Sequence, residues 1–95
     1  MLFVWDPEKA EHNYRKHRIS FEIAQTVFDD PFHLSLLDWK KHTEERWVTI
    51  GRSADKRTLV VVHLYRSQEG GHEVIRIISA RKATRREARQ YEEGI

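Results

Sequence analysis

From Phe32 onward apolar and polar positions alternate with a period of two, whereas the stretch before it carries apolar residues at helical spacing. That change predicts helices first and strands afterwards. Leu2–Trp5 reads as a short edge strand. Asp6-Pro7 supplies an N-cap followed by proline at the first helical position, so a helix should run from there to about His17. Ala10, Tyr14 and His17 share one of its faces. Ser20 caps a second helix with Phe21, Ala24, Val27 and Phe28 as its apolar stripe, and Asp29-Asp30-Pro31 ends it. Strands are expected near Phe32–Asp38, Arg46–Arg52, Thr58–Arg66 and Glu73–Ser79. Thr84 and Glu87 stand in capping-box spacing at the start of a last helix. These elements make an α+β fold: an antiparallel sheet of about four or five strands, two N-terminal helices on one face, and a C-terminal helix.

Gly70-Gly71 marks the last hairpin turn. A symmetric loop centred there sets Tyr65 opposite Arg76, His63 opposite Ile78 and Val61 opposite Ala80. Val60, Val62, Leu64, Ile75 and Ile77 then form the core face, extended by pairing Val48 with Val62 and Ile50 with Val60. The second face displays Trp47, His63, Tyr65 and Arg76. An odd-length loop would reverse the sides, because one residue of slip turns every side chain over.

Ninety-five residues make one small domain, spanning 1–95, and 39% hydrophobic content supports one modest core. The chain has no apolar run of membrane-spanning length and no leader-like start, which predicts a soluble, cytoplasmic protein without membrane contact. Zero cysteines exclude disulfides, thiolate chemistry and cysteine-type zinc sites. The six histidines contain no H-E-x-x-H or H-x-x-x-H pair, and His12 and His17 are five apart. Asp29 and Asp30 are explained as turn residues. No metal and no cofactor are therefore expected. Net charge is only +2, but the cations concentrate at Lys9–Arg18 and Arg81–Arg89. Two basic patches suit nucleic acid or an acidic protein.

The last helix carries Arg85, Arg86 and Arg89 in its first turns, where the helix dipole prefers negative charge. A bound phosphate would relieve that conflict; a solvated basic face is the plainer reading. Imidazole, phenol, indole and guanidinium on one open sheet face would suit a nucleotide, since aromatics stack bases and arginines hold phosphate. Metal-free RNA cleavage needs a base for the 2′-OH, an acid for the leaving 5′-oxygen, and cations for the transition state. His63 is the candidate proton shuttle, although a mid-strand histidine is more commonly structural. Arg52, Arg76 and Arg81 are candidates for stabilising the phosphorane. Trp47 and Tyr65 are candidate base contacts, and Lys82, Arg85 and Arg86 candidate backbone contacts. Arg76 could equally be a cross-strand partner of Tyr65. Lys16-His17-Arg18 is accounted for by the helix dipole, with His17 packed rather than catalytic.

Several motifs in one order carry a wider resemblance. They are Phe3-Val4-Trp5-Asp6, Lys16-His17-Arg18-Ile19-Ser20-Phe21-Glu22, Val27-Phe28-Asp29-Asp30-Pro31 and Glu45-Arg46-Trp47-Val48-Thr49-Ile50-Gly51-Arg52-Ser53. Val61-Val62-His63-Leu64-Tyr65-Arg66 and the stretch from Arg76 to Glu87 complete the set. The chain resembles the BrnT family of toxins from type II toxin–antitoxin modules along nearly its whole length. The resemblance implies a RelE-like fold and ribonuclease activity that stops translation. It also implies a BrnA-like antitoxin, a toxin–antitoxin heterotetramer, and operator DNA bound only through the antitoxin. Arg18 departs from the pattern, because family members usually have Gly there. The expected function is a metal-independent endoribonuclease toxin acting on RNA. The alternative is a non-catalytic basic module that docks an antitoxin or nucleic acid.

Overall fold

The computed structural model describes residues 1–40, 44–67 and 70–94. The elements follow the order β1 (Leu2–Val4), α1 (Pro7–His17), α2 (Phe21–Gln25), a 3-10 turn (Thr26–Asp29), β2 (Leu34–Asp38), β3 (Arg46–Arg52), β4 (Thr58–Ser67), β5 (Glu73–Lys82) and α3 (Arg85–Glu93). The strands lie in the order β1-β5-β4-β3-β2. β1 runs parallel to β5 and the other pairs are antiparallel, so the sheet is mixed rather than antiparallel throughout.

Local chemistry explains the helix limits. The Asp6 carboxylate accepts from the Glu8 amide and Pro7 fixes the first turn; the Ser20 hydroxyl accepts from the Ile23 amide. α1 ends at Arg18 in the left-handed region, with φ 58 and ψ 32, and the Arg18 amide donates to the Tyr14 carbonyl. A non-glycine residue there costs about 1–2 kcal/mol. The Arg18 guanidinium lies 5.8 Å from the centre of the Tyr14 ring, which offsets part of that. The second apolar stripe is helical only to Gln25, and Val27 and Phe28 follow in the 3-10 turn. Gly51 makes room for that turn: a Cβ on it would come 2.7 Å from Val27 Cγ1 and 3.1 Å from His33 Cβ.

The core lies between the sheet and the N-terminal helices, formed by Ile19, Phe21, Ala24, Val27, Leu59, Val61, Ile75, Ile77 and Ala80. β1 pairs with β5 only from Val74 to Arg76, leaving the rest of that edge open. Buried Asn13 of α1 occupies it. Its side chain donates to the carbonyls of Ile19 (3.0 Å) and Ala80 (2.9 Å) and accepts from the Ala80 amide (3.1 Å). α3 meets the other face. Arg81, whose register partner is Val60, is gripped by Glu87 of α3, and buried Ile50 and Val60 lie on that side.

The register overturns part of the expected sidedness. Trp47 pairs His63, Val48 pairs Val62 and Ile50 pairs Val60, as expected. Val61 also pairs Ala80. A bulge between Val62 and His63 then sets His63 opposite Ile77, Leu64 opposite Arg76 and Tyr65 opposite Ile75. The turn expected at Gly70-Gly71 lies partly outside the described residues. Leu59, Val61 and His63 thus face the N-terminal helices, and Val60, Val62 and Leu64 face away. The core side of β4 is the reverse of the one its alternation predicted.

Candidate functional site: a basic cavity at one end of the sheet

Of the residues expected to share one open face, His63, Tyr65 and Trp47 lie on the helix-covered side and Arg76 on the other. His63 is fully buried. Its ring stands edge-on to Phe28 (4.9 Å) and Tyr65 (4.9 Å), and Tyr65 in turn meets Trp47 edge-on at 5.3 Å. Its Nε2 is 2.6 Å from the Thr49 hydroxyl, which is 2.7 Å from the Ser35 hydroxyl. The Nδ1 atom is buried without a hydrogen-bond partner. Burial, reinforced by the nearby His33 charge, pushes the His63 pKa down to about 4. The imidazole is neutral near pH 7 and screened from solvent. Arg76 is half-buried on the far face beside Leu64 and Val4, so it shares no site with His63.

A different cluster does converge. The last turn of α1, the end of β5 and the β3–β4 turn enclose a cavity of about 560 Å³. It is lined by Lys16, His17, Arg18, Arg57, Arg81, Lys82 and Thr84. The two cationic segments of the sequence meet here, with Arg57 added. Lys16 and His17 also line a second cavity of about 350 Å³ along α1, with Lys9, His12, Ile78 and Ser79 among its walls. His17 is half-exposed and borders both. Arg85 and Arg86 are exposed immediately beyond Thr84.

The cations differ in freedom. Arg81 spends its fork on Glu87, with Nη1 and Nη2 at 2.7 and 2.8 Å from the two carboxylate oxygens. Glu87 also accepts from the Thr84 amide while the Thr84 hydroxyl accepts from the Glu87 amide, completing the capping box. The Arg81 guanidinium holds the Glu87 carboxyl down to about 2 and is itself raised in return. Arg57 pairs with Asp55 at 2.6 Å. Lys16, Lys82, Arg85 and Arg86 make no ion pair or side-chain hydrogen bond among the described residues. Arg52 is exposed at the same end of the sheet. Its amide donates to Asp30, which also accepts from the Tyr91 hydroxyl at 2.5 Å. Burial raises the Asp30 carboxyl, but the bonds from Tyr91, Arg52 and Phe32 and the His33 charge leave it below the ordinary range. Among the described residues, no group of three histidine or acidic side chains could hold a metal ion.

Three comparisons set this geometry beside known proteins. A family model described as ribonuclease toxin, BrnT, of type II toxin-antitoxin system matches residues 5–87. The chain belongs to the BrnT toxin family. It is thereby a ribonuclease toxin of a type II toxin–antitoxin system, with an antitoxin as partner. The crystal structure of the Brucella abortus ribonuclease toxin, BrnT, has a similar fold, with a TM-score of 0.58 and 20% identity over 90% of this chain and 100% of that one. Comparison with curated proteins gives no match. Among the described residues of this BrnT-family chain, no helix is long and apolar enough to cross a membrane. Sequence reasoning missed His17, Arg18, Arg57 and Lys16 as cavity residues. The cationic end of α1 carried the signal, but the helix dipole explained it equally well.

Proposed function

We propose that this chain cleaves RNA without a metal ion, at the basic cavity, and so arrests translation. The observation that carries the reading is the meeting of Lys16, His17, Arg18, Arg57, Arg81 and Lys82 around one concave space. Lys82, Arg85 and Arg86 hold the RNA backbone by charge, with Lys16 and Arg18 opposite them. Arg52 extends this track past the β3–β4 turn. Arg81 is a positioning residue: its bond to Glu87 fixes the start of α3 and hence Arg85 and Arg86. His17 takes the proton-transfer role that the sequence suggested for His63. It accepts the 2′-OH proton as that oxygen attacks phosphorus; the P–O5′ bond breaks, the 5′-oxygen takes a proton from solvent water, and a 2′,3′-cyclic phosphate is left. Surrounding guanidinium and ammonium groups stabilise the charge on the phosphorane.

The antitoxin is a BrnA-like protein that assembles with the toxin as a heterotetramer and carries the operator-binding module. Purified toxin incubated with RNA in EDTA tests the chemistry. The expected result is cleavage that EDTA leaves intact and that His17→Ala slows at least about a hundredfold, the range of a lost general base. Cleavage only with added Mg²⁺ refutes the metal-free reaction. RNA binding without cleavage favours a non-catalytic basic module.

A further inference from the structure

The face of the sheet turned away from α1 and α2 is only partly covered. α3 reaches its Ile50–Val60 end. The other end carries half-buried Val48 and Val62, exposed Leu36 and, beneath them, buried Leu64, which register brings side by side across β2, β3 and β4, with Val4 on β1. Leu36 is 56% and Val4 41% exposed. Arg76 stands between Leu64 and Val4, and Arg66, one step further along β4, pairs with Val74 and shares this face. Neither arginine has an ion pair or side-chain hydrogen bond among the described residues. A half-buried guanidinium on an aliphatic strip is costly without a carboxylate. A strip of this kind complements an apolar surface that carries one or two acids.

We propose that this face docks the antitoxin through an apolar segment whose carboxylates pair with Arg76 and Arg66. RNA fits poorly here, since the aromatic residues that could stack bases, Trp47 and Tyr65, lie on the opposite side. A second copy of the chain also fits poorly. A two-fold face-to-face contact would set these arginines against one another. The proposal rests on the family's antitoxin partnership and is independent of where RNA is cut.

Calorimetric titration of the cognate antitoxin into the purified toxin tests it. Arg66→Glu, Arg76→Glu and Leu36→Lys should each weaken antitoxin binding at least about tenfold. RNA cleavage by Arg66→Glu and Leu36→Lys should stay within about twofold of the parent, as expected for substitutions away from the cavity. Arg76→Met keeps the side-chain volume and removes the charge, so it still reports if Arg76→Glu does not fold. An antitoxin variant with its matching acid changed to Arg should recover affinity for Arg76→Glu. Unchanged affinity for Arg76→Met overturns the proposal. So does loss of antitoxin on Lys82→Glu with all three open-face variants binding normally. The binding readout needs no cleavage. A toxin that leaves RNA intact yet loses the antitoxin on Arg76→Met defeats the ribonuclease reading and upholds this one.

Discussion

The layer between sheet and N-terminal helices and the basic rim at the sheet's end treat polar side chains in opposite ways. In the layer, Asn13 and His63 are sealed, and Asn13 has every polar contact supplied by the fold. At the rim, Lys82, Arg85 and Arg86 stand in water without acidic partners among the described residues. A histidine sealed in an aromatic cage, as His63 is, stays neutral in the folded chain until the pH falls to about 4. His17, half-exposed on the wall of the basic cavity, is open to water. The rim leaves its cations open to an anionic ligand, whereas the layer seals Asn13 and His63 from solvent.

Substitutions can break this contrast. Asn13→Ala should have the largest effect on stability, about 3 kcal/mol or more, because three buried backbone groups lose their partners. Urea unfolding measures it, and a loss under 1 kcal/mol would mean that water replaces the amide. Acid should act next, through His63. Above about pH 6.5 the imidazole is neutral in both states. As pH falls from there to about 4, the unfolded chain gains a proton that the folded one excludes, so stability drops by on the order of 3 kcal/mol. A His63→Gln protein should lack that slope; an unchanged slope would assign the titration elsewhere. The Glu87 carboxyl, depressed by Arg81, should add a separate loss from about 4.5 down to about 2. Glu87→Ala should cost about 1–2 kcal/mol through the lost cap and ion pair. Amide exchange should rise in α3 alone, and a rise spread over the sheet would contradict a local clasp. Arg18→Gly has the smallest effect and the opposite sign. It should gain about 1 kcal/mol by relieving the left-handed backbone. RNA binding should weaken and its salt dependence become shallower by roughly one phosphate contact. A stabilised toxin with unchanged salt dependence would remove Arg18 from the RNA track.

Most of the frame was legible because it rests on local chemistry. Asp6-Pro7, Ser20 and the Thr84–Glu87 pair each start a helix where the spacing predicted, and β3 spans the expected Arg46–Arg52. The β3–β4 register was legible too. The side of β4 was not, because Leu59 and Val61 on one face and Val60, Val62 and Leu64 on the other are all apolar. Alternation carries no sign in a strand that is apolar on both faces. The bulge after Val62 added a one-residue shift that no single residue announces. The cavity residues were individually visible as cations. Their meeting depends on α1 ending beside β5, a contact between residues some sixty positions apart that periodicity does not encode.

The placement of β5 between β1 and β4 has a consequence for synthesis. Leu2–Val4 must wait for Val74–Arg76, and Asn13 for Ala80, before either finds its hydrogen-bond partner. Such distant pairings slow folding. They also leave an emerging chain without the strand that joins β1 to the rest of the sheet until residues 73–82 have been made. The cationic rim cannot assemble before Arg81 and Lys82 have been made, so a product that stops short of them has no basic cavity.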